Sequence, residues 1–212
     1  MSNDSAQRNC ESLTVETLLF AYSQGFFPMS KTRNSSEIFM VDPLQRGILP
    51  LDGFHIPRRL QQRMRNQPYE LRINTDFAAV LAQCAAAAPD RHETWINHEI
   101  AELYLQLHRT GYAHSVESWQ DGRLVGGLYG VSYRAAFFGE SMFSRATDAS
   151  KVALVHLVRI LRQAGFVLLD TQFLNAHLAQ FGVIEIPRDD YRQRLQQAMA
   201  GQAQFPSSRS DS

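Results

Sequence analysis

Apolar and polar positions are patterned most tightly between residues 114 and 173. Two strand-like runs within 114–131 flank Gln120-Asp121-Gly122-Arg123, and an Asp-Gly pair suits the positive backbone angles of a tight hairpin turn. A third apolar run, 135–138, ends abruptly in Gly139-Glu140-Ser141. Thr147 or Asp148 can then cap a helix that runs to Ala164 and stops at Gly165. Val152, Ala153, Val155, Leu157, Val158 and Leu161 give that helix a wide apolar face. Residues 166–170 follow as a strand apolar on both faces that closes on one acid, Asp170.

The flanking elements are simpler. Thr14 can cap a helix carrying Leu18, Leu19, Ala21 and Tyr22 on one face, which Gly25 ends. An apolar knuckle at 26–29 and short strands at 38–41 and 48–51 come next, then a strand at 69–74. Helices are expected over 76–88 and 97–109, separated by a loop that holds Trp95. A short helix at 174–181, a strand at 184–187 and a helix at 188–199 complete the reading. The ends, 1–11 and 201–212, are polar and expected to be disordered. Antiparallel hairpins mixed with crossing helices predict an α+β fold with a mixed sheet.

Bulk composition narrows the classes. The chain has 212 residues, 44% of them hydrophobic and 20% charged, which suits one sizeable domain plus a small accessory one. With 21 basic and 21 acidic residues the net charge is zero, which argues against a protein that coats nucleic acid without specificity. Yet residues 55–72 hold Arg58, Arg59, Arg63, Arg65 and Arg72 against the single acid Glu70. Such a patch either grips phosphates or is a solvated helix face. Cys10 and Cys84 suggest no disulfide framework. The start is polar and no apolar run approaches the ~20 residues of a membrane span, so a cytoplasmic protein with no membrane partner is expected.

Candidate chemistry follows by elimination. The seven histidines are scattered and make no metal-binding spacing; no metal is expected. Gly-x-Ser-x-Gly, a Walker loop and a dinucleotide fingerprint are missing. What remains is acyl transfer by proximity and polarisation, supported by Glu140, Asp170 and Gln172. Strand alternation puts residues 170 and 172 on one face, where a carboxylate can orient a neighbouring amide. The competing reading is that Asp170 and Gln172 cap the following helix and Glu140 is a surface acid. Trp95 and the phenylalanines 137, 138 and 143, taken alone, suit a core rather than a ligand pocket.

At LLFAYSQGFFPM, TWI, AHSVESW, LVGGLYGV, FFGESMFS, DASK and LDTQF, in this order, the sequence resembles the leucyl/phenylalanyl-tRNA–protein transferase family over residues ~12–195. The resemblance implies a small N-terminal domain (1–50), an acetyltransferase-like (GNAT-like) domain (51–200) and a disordered tail (201–212). It implies transfer of leucine or phenylalanine, and less well methionine, from aminoacyl-tRNA to the N-terminal Arg or Lys of an acceptor protein, marking it for N-end-rule degradation. No cofactor is implied, and a monomer is expected. Asp170 would hydrogen-bond and polarise Gln172, which assists the amine, and Glu140 would line the same site. Trp95, Leu128, Phe137 and Met142 would border the side-chain pocket, with Met29 standing where the family commonly has tryptophan. Arg58, Arg59, Arg63 and Arg65 fall at the family's basic cluster for the tRNA acceptor end. Arg134 stands where a small residue or glycine is usual. A GNAT-type acetyltransferase using acetyl-CoA, or a non-catalytic RNA-binding module, are the alternatives. The first needs a glycine-rich loop at 145–150, which reads RATDAS.

Overall fold

A computed structural model describes residues 8–9, 13–86 and 94–206. Most of the ends expected to be disordered, and residues 87–93 with part of the expected loop around Trp95, lie outside the described residues. The elements run β1 (Arg8–Asn9), α1 (Val15–Ser23), β2 (Phe27–Ser30), β3 (Ile38–Val41), β4 (Gln45–Ile48), α2 (Arg58–Met64), β5 (Glu70–Ile73), α3 (Phe77–Ala85) and α4 (His98–Arg109). After these come β6 (Ala113–Gln120), β7 (Arg123–Tyr133), β8 (Ala136–Ser144), α5 (Ala149–Gln163), β9 (Leu168–Gln172), α6 (Ala176–Ala179), β10 (Ile184–Pro187) and α7 (Arg188–Ala200).

Seven strands form one mixed sheet in the order β10-β4-β9-β8-β7-β6-β5, and β1-β3-β2 form a smaller one. Thus β4, which falls inside the stretch 1–50, is a strand of the large sheet. All pairs in the large sheet are antiparallel except β8 with β9. A parallel pair needs a long crossover, and α5 supplies it. The hairpin turns behave as their residues predict. Asp121 and Gly122 take φ of +50° and +69°. Arg134, in the two-residue turn between β7 and β8, takes +56°, a conformation in which a residue without Cβ is unstrained.

Alternation along the strands sorts side chains between two cores. Tyr129, Phe138 and Leu168 face one cluster with residues of α1, α3, α4 and α7, among them Tyr22, Tyr104 and Tyr191. Leu128, Phe137 and Leu169 face the other, built on α5 and on Leu60 of α2. The fully buried Glu117 of the AHSVESW segment is absorbed by structure. Its carboxylate accepts from the backbone N–H groups of Thr75 and Asp76, both at 2.9 Å, from the Ser115 hydroxyl at 2.7 Å and from Trp119 Nε1 at 2.9 Å. It therefore fixes the turn that feeds α3, whose first turn Asp76 caps. Within the segment 201–212, read from its polarity as a tail, Phe205 is 5% exposed and stacks on His114 and Phe137. One aromatic ring anchors a stretch that is otherwise polar.

Candidate active site

The site arises where two parallel strands part. Pairing between β8 and β9 runs only from Ala136↔Leu168 to Phe138↔Asp170, while β8 continues to Ser144. A cavity of about 460 Å³ opens beyond that point, between Gly139–Arg145 on one side and Thr171, Gln172, Asn175 and His177 on the other. Ligand crevices in sheets with parallel strands lie outside the carboxyl ends of such strands. Leu128, Met142, Leu154 and Leu157 make its apolar floor.

Each strand at this gap carries one residue too many. Tyr129 pairs with Ser141 and Gly130 with Gly139, so Glu140 is a bulge in β8 and sits within the strand, not at the end expected for it. Gly47 pairs with Gln172 and Ile48 with Asp170, so Thr171 is a bulge in β9. Bulges re-aim side chains and collect beside active sites. Both lie beside glycines that admit no other residue. A Cβ on Gly130 would sit 2.3 Å from the Phe138 carbonyl oxygen, and one on Gly47 would sit 2.6 Å from the Phe173 carbonyl carbon. The second bulge also overturns the expected alternation. Gln172, at φ +57°, lines the cavity together with Thr171, while Asp170 turns away from it.

Glu140 is half-buried, with its carboxyl group held between two tyrosines. Tyr22 donates to Oε1 and Tyr104 to Oε2, each at 2.7 Å, and the two hydroxyls are 2.9 Å apart. Burial pushes Glu140 up to about 7, against the two tyrosine hydrogen bonds that lower it; the negative charge of Asp170 adds to the rise. Burial, then the neighbouring Glu140, holds both tyrosines well above their usual range, so they remain donors. The site therefore contains a carboxyl group that exchanges its proton near neutral pH.

Asp170 is fully buried in an ion pair that the sequence reading missed. Arg46 donates through Nε at 3.0 Å and Nη2 at 2.6 Å, and Tyr191 donates at 2.7 Å. The Arg46 guanidinium lies between the rings of Phe27 and Tyr191 and donates to the Gly25 carbonyl at 2.8 Å. Burial alone would lower the Arg46 pKa; the charge of Asp170, the neighbouring Tyr191, the hydrogen bond with Asp170 and the charge of Asp42 together outweigh it and raise it. The expected contact between Asp170 and Gln172 exists, but through the backbone: the Gln172 N–H donates to Asp170 Oδ1 at 2.8 Å. Asp170 thus sets the backbone from which Gln172 projects, while the Gln172 amide nitrogen is buried without a partner. The helix-capping alternative fails, because Asn175 caps α6. A lone arginine in the apolar run around Ile48 was the available signal, since a buried cation requires a buried acid.

The remaining candidates divide. Leu128 and Met142 line the cavity. Phe137 does not; it is fully buried against Phe166 and Phe205 on the α5 face. Trp95 and Met29 are outside the lining too. Trp95 meets Tyr104 edge-on at 6.4 Å, one residue removed from Glu140, and Met29 packs in β2 opposite Phe39. Arg58, Arg59, Arg63 and Arg65 are exposed on and just after α2. Arg63 pairs with Asp148 at 3.1 Å, whereas Arg58, Arg59 and Arg65 make no ion pair among the described residues. Asp148 also holds Lys151 at 2.9 Å and does not cap α5 through its side chain. Because Ser150 and Leu154 of α5 line the cavity, this link sets the arginine helix beside the rim.

Comparison with known proteins bears on this arrangement. A family model described as "Leucyl/phenylalanyl-tRNA protein transferase" matches residues 48–196, and the model of that family's N-terminal domain matches 11–43. Curated proteins named "Leucyl/phenylalanyl-tRNA--protein transferase" are similar over nearly the whole chain. The one from Phenylobacterium zucineum is 57% identical over 89% of this chain and 85% of its own length. Those from Ruegeria pomeroyi and Caulobacter vibrioides are 58% and 57% identical, each over 92% of this chain and 90% of its own. A solved structure titled "The structure of L-PGS from Bacillus licheniformis" aligns over 85% of this chain and 62% of that one, at 13% identity and a TM-score of 0.41.

Proposed function

Because this chain belongs to the leucyl/phenylalanyl-tRNA–protein transferase family, we propose that the cavity between β8 and β9 is where an aminoacyl ester on tRNA meets the amine of an acceptor protein. The chain is an aminoacyltransferase that moves an amino acid from aminoacyl-tRNA to a protein. The observation that carries the placement is the facing pair of bulges, which turns Glu140 and the Thr171-Gln172 corner toward one space.

In this reading the apolar floor of Leu128, Met142, Leu154 and Leu157 takes the leucine or phenylalanine side chain. Side chains unbranched at Cβ, such as leucine and phenylalanine, fit it, while valine and isoleucine are discriminated by shape at about 1–3 kcal/mol per misplaced methyl group; methionine is accepted less well. The ester is already activated, so the step is attack by a neutral amine whose ordinary pKa is about 8. Glu140, poised near 7, takes the proton that the nitrogen sheds. Gln172 offers its amide nitrogen to the reacting groups. Asp170 acts at one remove, through the backbone of Gln172. The acceptor is an N-terminal Arg or Lys, whose side-chain cation is attracted by Glu140 when ionised, and the product is marked for degradation. Arg58, Arg59, Arg63 and Arg65 hold the tRNA acceptor end, which suits a neutral chain that grips a short stem. Trp95, edge-on to Tyr104, borders the tyrosine side of the site, and Met29 takes the terminal nucleoside in place of the tryptophan common in the family.

The separately matched segments 11–43 and 48–196 support dividing the chain into a small N-terminal part and a larger catalytic one. The parting of β8 and β9 around a crossover helix supports reading the larger part as GNAT-like. Among the described residues no helix is long and apolar enough to cross a membrane, and we read the protein as a cytoplasmic monomer. The test is transfer of radiolabelled leucine, phenylalanine and methionine from their tRNAs to a peptide with N-terminal arginine. Leucine and phenylalanine should be transferred readily and methionine more slowly. No transfer from intact charged tRNA, alongside turnover of acetyl-CoA, would overturn the reading.

A further inference from the structure

Thr171 was given no role in the sequence reading, yet it is the extra residue of the β9 bulge and is among the residues that line the cavity. Its hydroxyl oxygen is buried without a hydrogen-bond partner, and so is the neighbouring Gln172 amide nitrogen. Buried polar atoms are almost always paired in folded proteins. Two orphans on consecutive residues of one cavity wall therefore point to a ligand group. Their backbone is held fast. The Phe173 N–H donates to the Thr171 carbonyl at 2.6 Å, the Gln172 N–H to Asp170 at 2.8 Å, and Gly47 packs against the backbone of Phe173 and Leu174. Glu140 lies on the opposite strand, across the same space.

We propose that Thr171 is a substrate-contacting catalytic residue, its hydroxyl and the Gln172 amide together forming a two-donor subsite for the carbonyl oxygen of the aminoacyl ester. The inference rests on the reading of this cavity as the meeting place of ester and amine. Both atoms can donate, and a carbonyl oxygen accepts two hydrogen bonds. When the amine adds, the nitrogen–carbon bond forms and the carbonyl π pair moves onto that oxygen, where two fixed donors stabilise the new charge. The pair then returns, the carbon–oxygen bond to the ribose breaks, and the ribose oxygen leaves with a proton in place of the one the nitrogen has lost. Atoms and charge balance without any further reactant.

The experiment compares Thr171→Val, Thr171→Ala and Thr171→Ser with the wild type in single- and multiple-turnover transfer from Leu-tRNA to an N-terminal-arginine peptide, with thermal melts of each. Valine and alanine are expected to lower kcat at least tenfold, with the KM for Leu-tRNA unchanged within twofold, and serine should retain at least a third of wild-type kcat. Valine should melt no lower than the wild type, because it replaces an unpaired buried hydroxyl by a methyl group; a residue that only supported the fold would lower melting and activity together. A kcat for both valine and alanine within threefold of wild type, a serine variant as slow as they are, or a loss confined to KM would overturn the proposal. If valine alone fails to fold, alanine and serine decide. A wild-type chain that transfers nothing retires the reading of the cavity itself, whereas an active wild type with equally active valine and alanine variants retires only the role of Thr171.

Discussion

Replacing Glu140 by glutamine should change how stability depends on pH, and the structure fixes the sign. Burial raises Glu140 from 4.5 to about 7, so the folded chain holds this proton more tightly than the unfolded chain does. The associated stability is complete below about pH 4.5 and is lost as pH rises to 7. His114 runs the other way. It is buried, stacked on Phe205, and burial followed by the nearby His108 lowers it from 6.5 to about 4. Its neighbours also fix the neutral form. Asn74 Oδ1 is occupied by the Ser115 N–H, so the Asn74 amide nitrogen faces His114 Nδ1 at 3.1 Å, and the ring proton sits on Nε2, 3.0 Å from the Ser132 hydroxyl. The stability linked to His114 is therefore present above pH 6.5 and lost as pH falls to 4. At about 1.4 kcal/mol for each tenfold change in proton affinity, each effect is worth about 3 kcal/mol. In the wild type they oppose one another across pH 4.5–6.5, and these two contributions sum to a nearly flat profile. Glu140→Gln should leave the His114 effect alone, so its unfolding free energy rises by about 3 kcal/mol between pH 4 and 7. Urea denaturation followed by tryptophan fluorescence at fixed ionic strength reads this directly. A difference between variant and wild type that does not change across pH 4.5–7 would refute the reasoning.

Three further outcomes are expected. Asp170→Ala should destabilise the fold by about 3–5 kcal/mol by leaving the Arg46 charge buried and unpaired; the double variant with Arg46→Met should recover much of that in the same denaturation assay, and failure to recover would point to another role for the pair. Replacing Arg58, Arg59 and Arg65 by alanine should weaken tRNA binding and flatten its salt dependence, the logarithmic slope falling by roughly one for each phosphate no longer gripped, measured by filter binding at several salt concentrations. Arg63→Ala should do less, since Asp148 already engages that charge. Phe205→Ala should cost about 3–5 kcal/mol, seen as a lower urea midpoint; a midpoint unchanged from wild type would mean that the ring bears no weight in the core.

The fold was legible wherever one face of an element is apolar and the other polar. The hairpin at Asp121-Gly122, α5 with its apolar face, and the helices capped by Thr14 and Asn97 all follow from local rules. The site was legible as residue types and not as geometry. Glu140, Gln172, Leu128 and Met142 line one cavity, but period-two reasoning put Asp170 and Gln172 together because a bulge has no signature in apolar alternation. Phe137 was given a pocket role by the family resemblance alone; its residue type suited a core, and it is buried in the core on the α5 face. Tyr22 read as one apolar position on its helix, and Tyr104 carried no signal of its own; both are core residues whose hydroxyls reach Glu140. Arg46 needed a partner 124 residues away, a distance at which no local pattern can speak.

The glycines at 47 and 130 give the chain a particular weakness. Each bulge exists because its strand is one residue longer than its neighbour requires. Loss of a single codon at 140 or 171 would give a ladder better paired than the one present, with the remaining strand still in phase on its far side. The sheet of such a protein would be more regular, while the cavity between β8 and β9 lost one of its lining residues. In this sheet, regular pairing and the lining of the cavity therefore pull against each other at the same two positions.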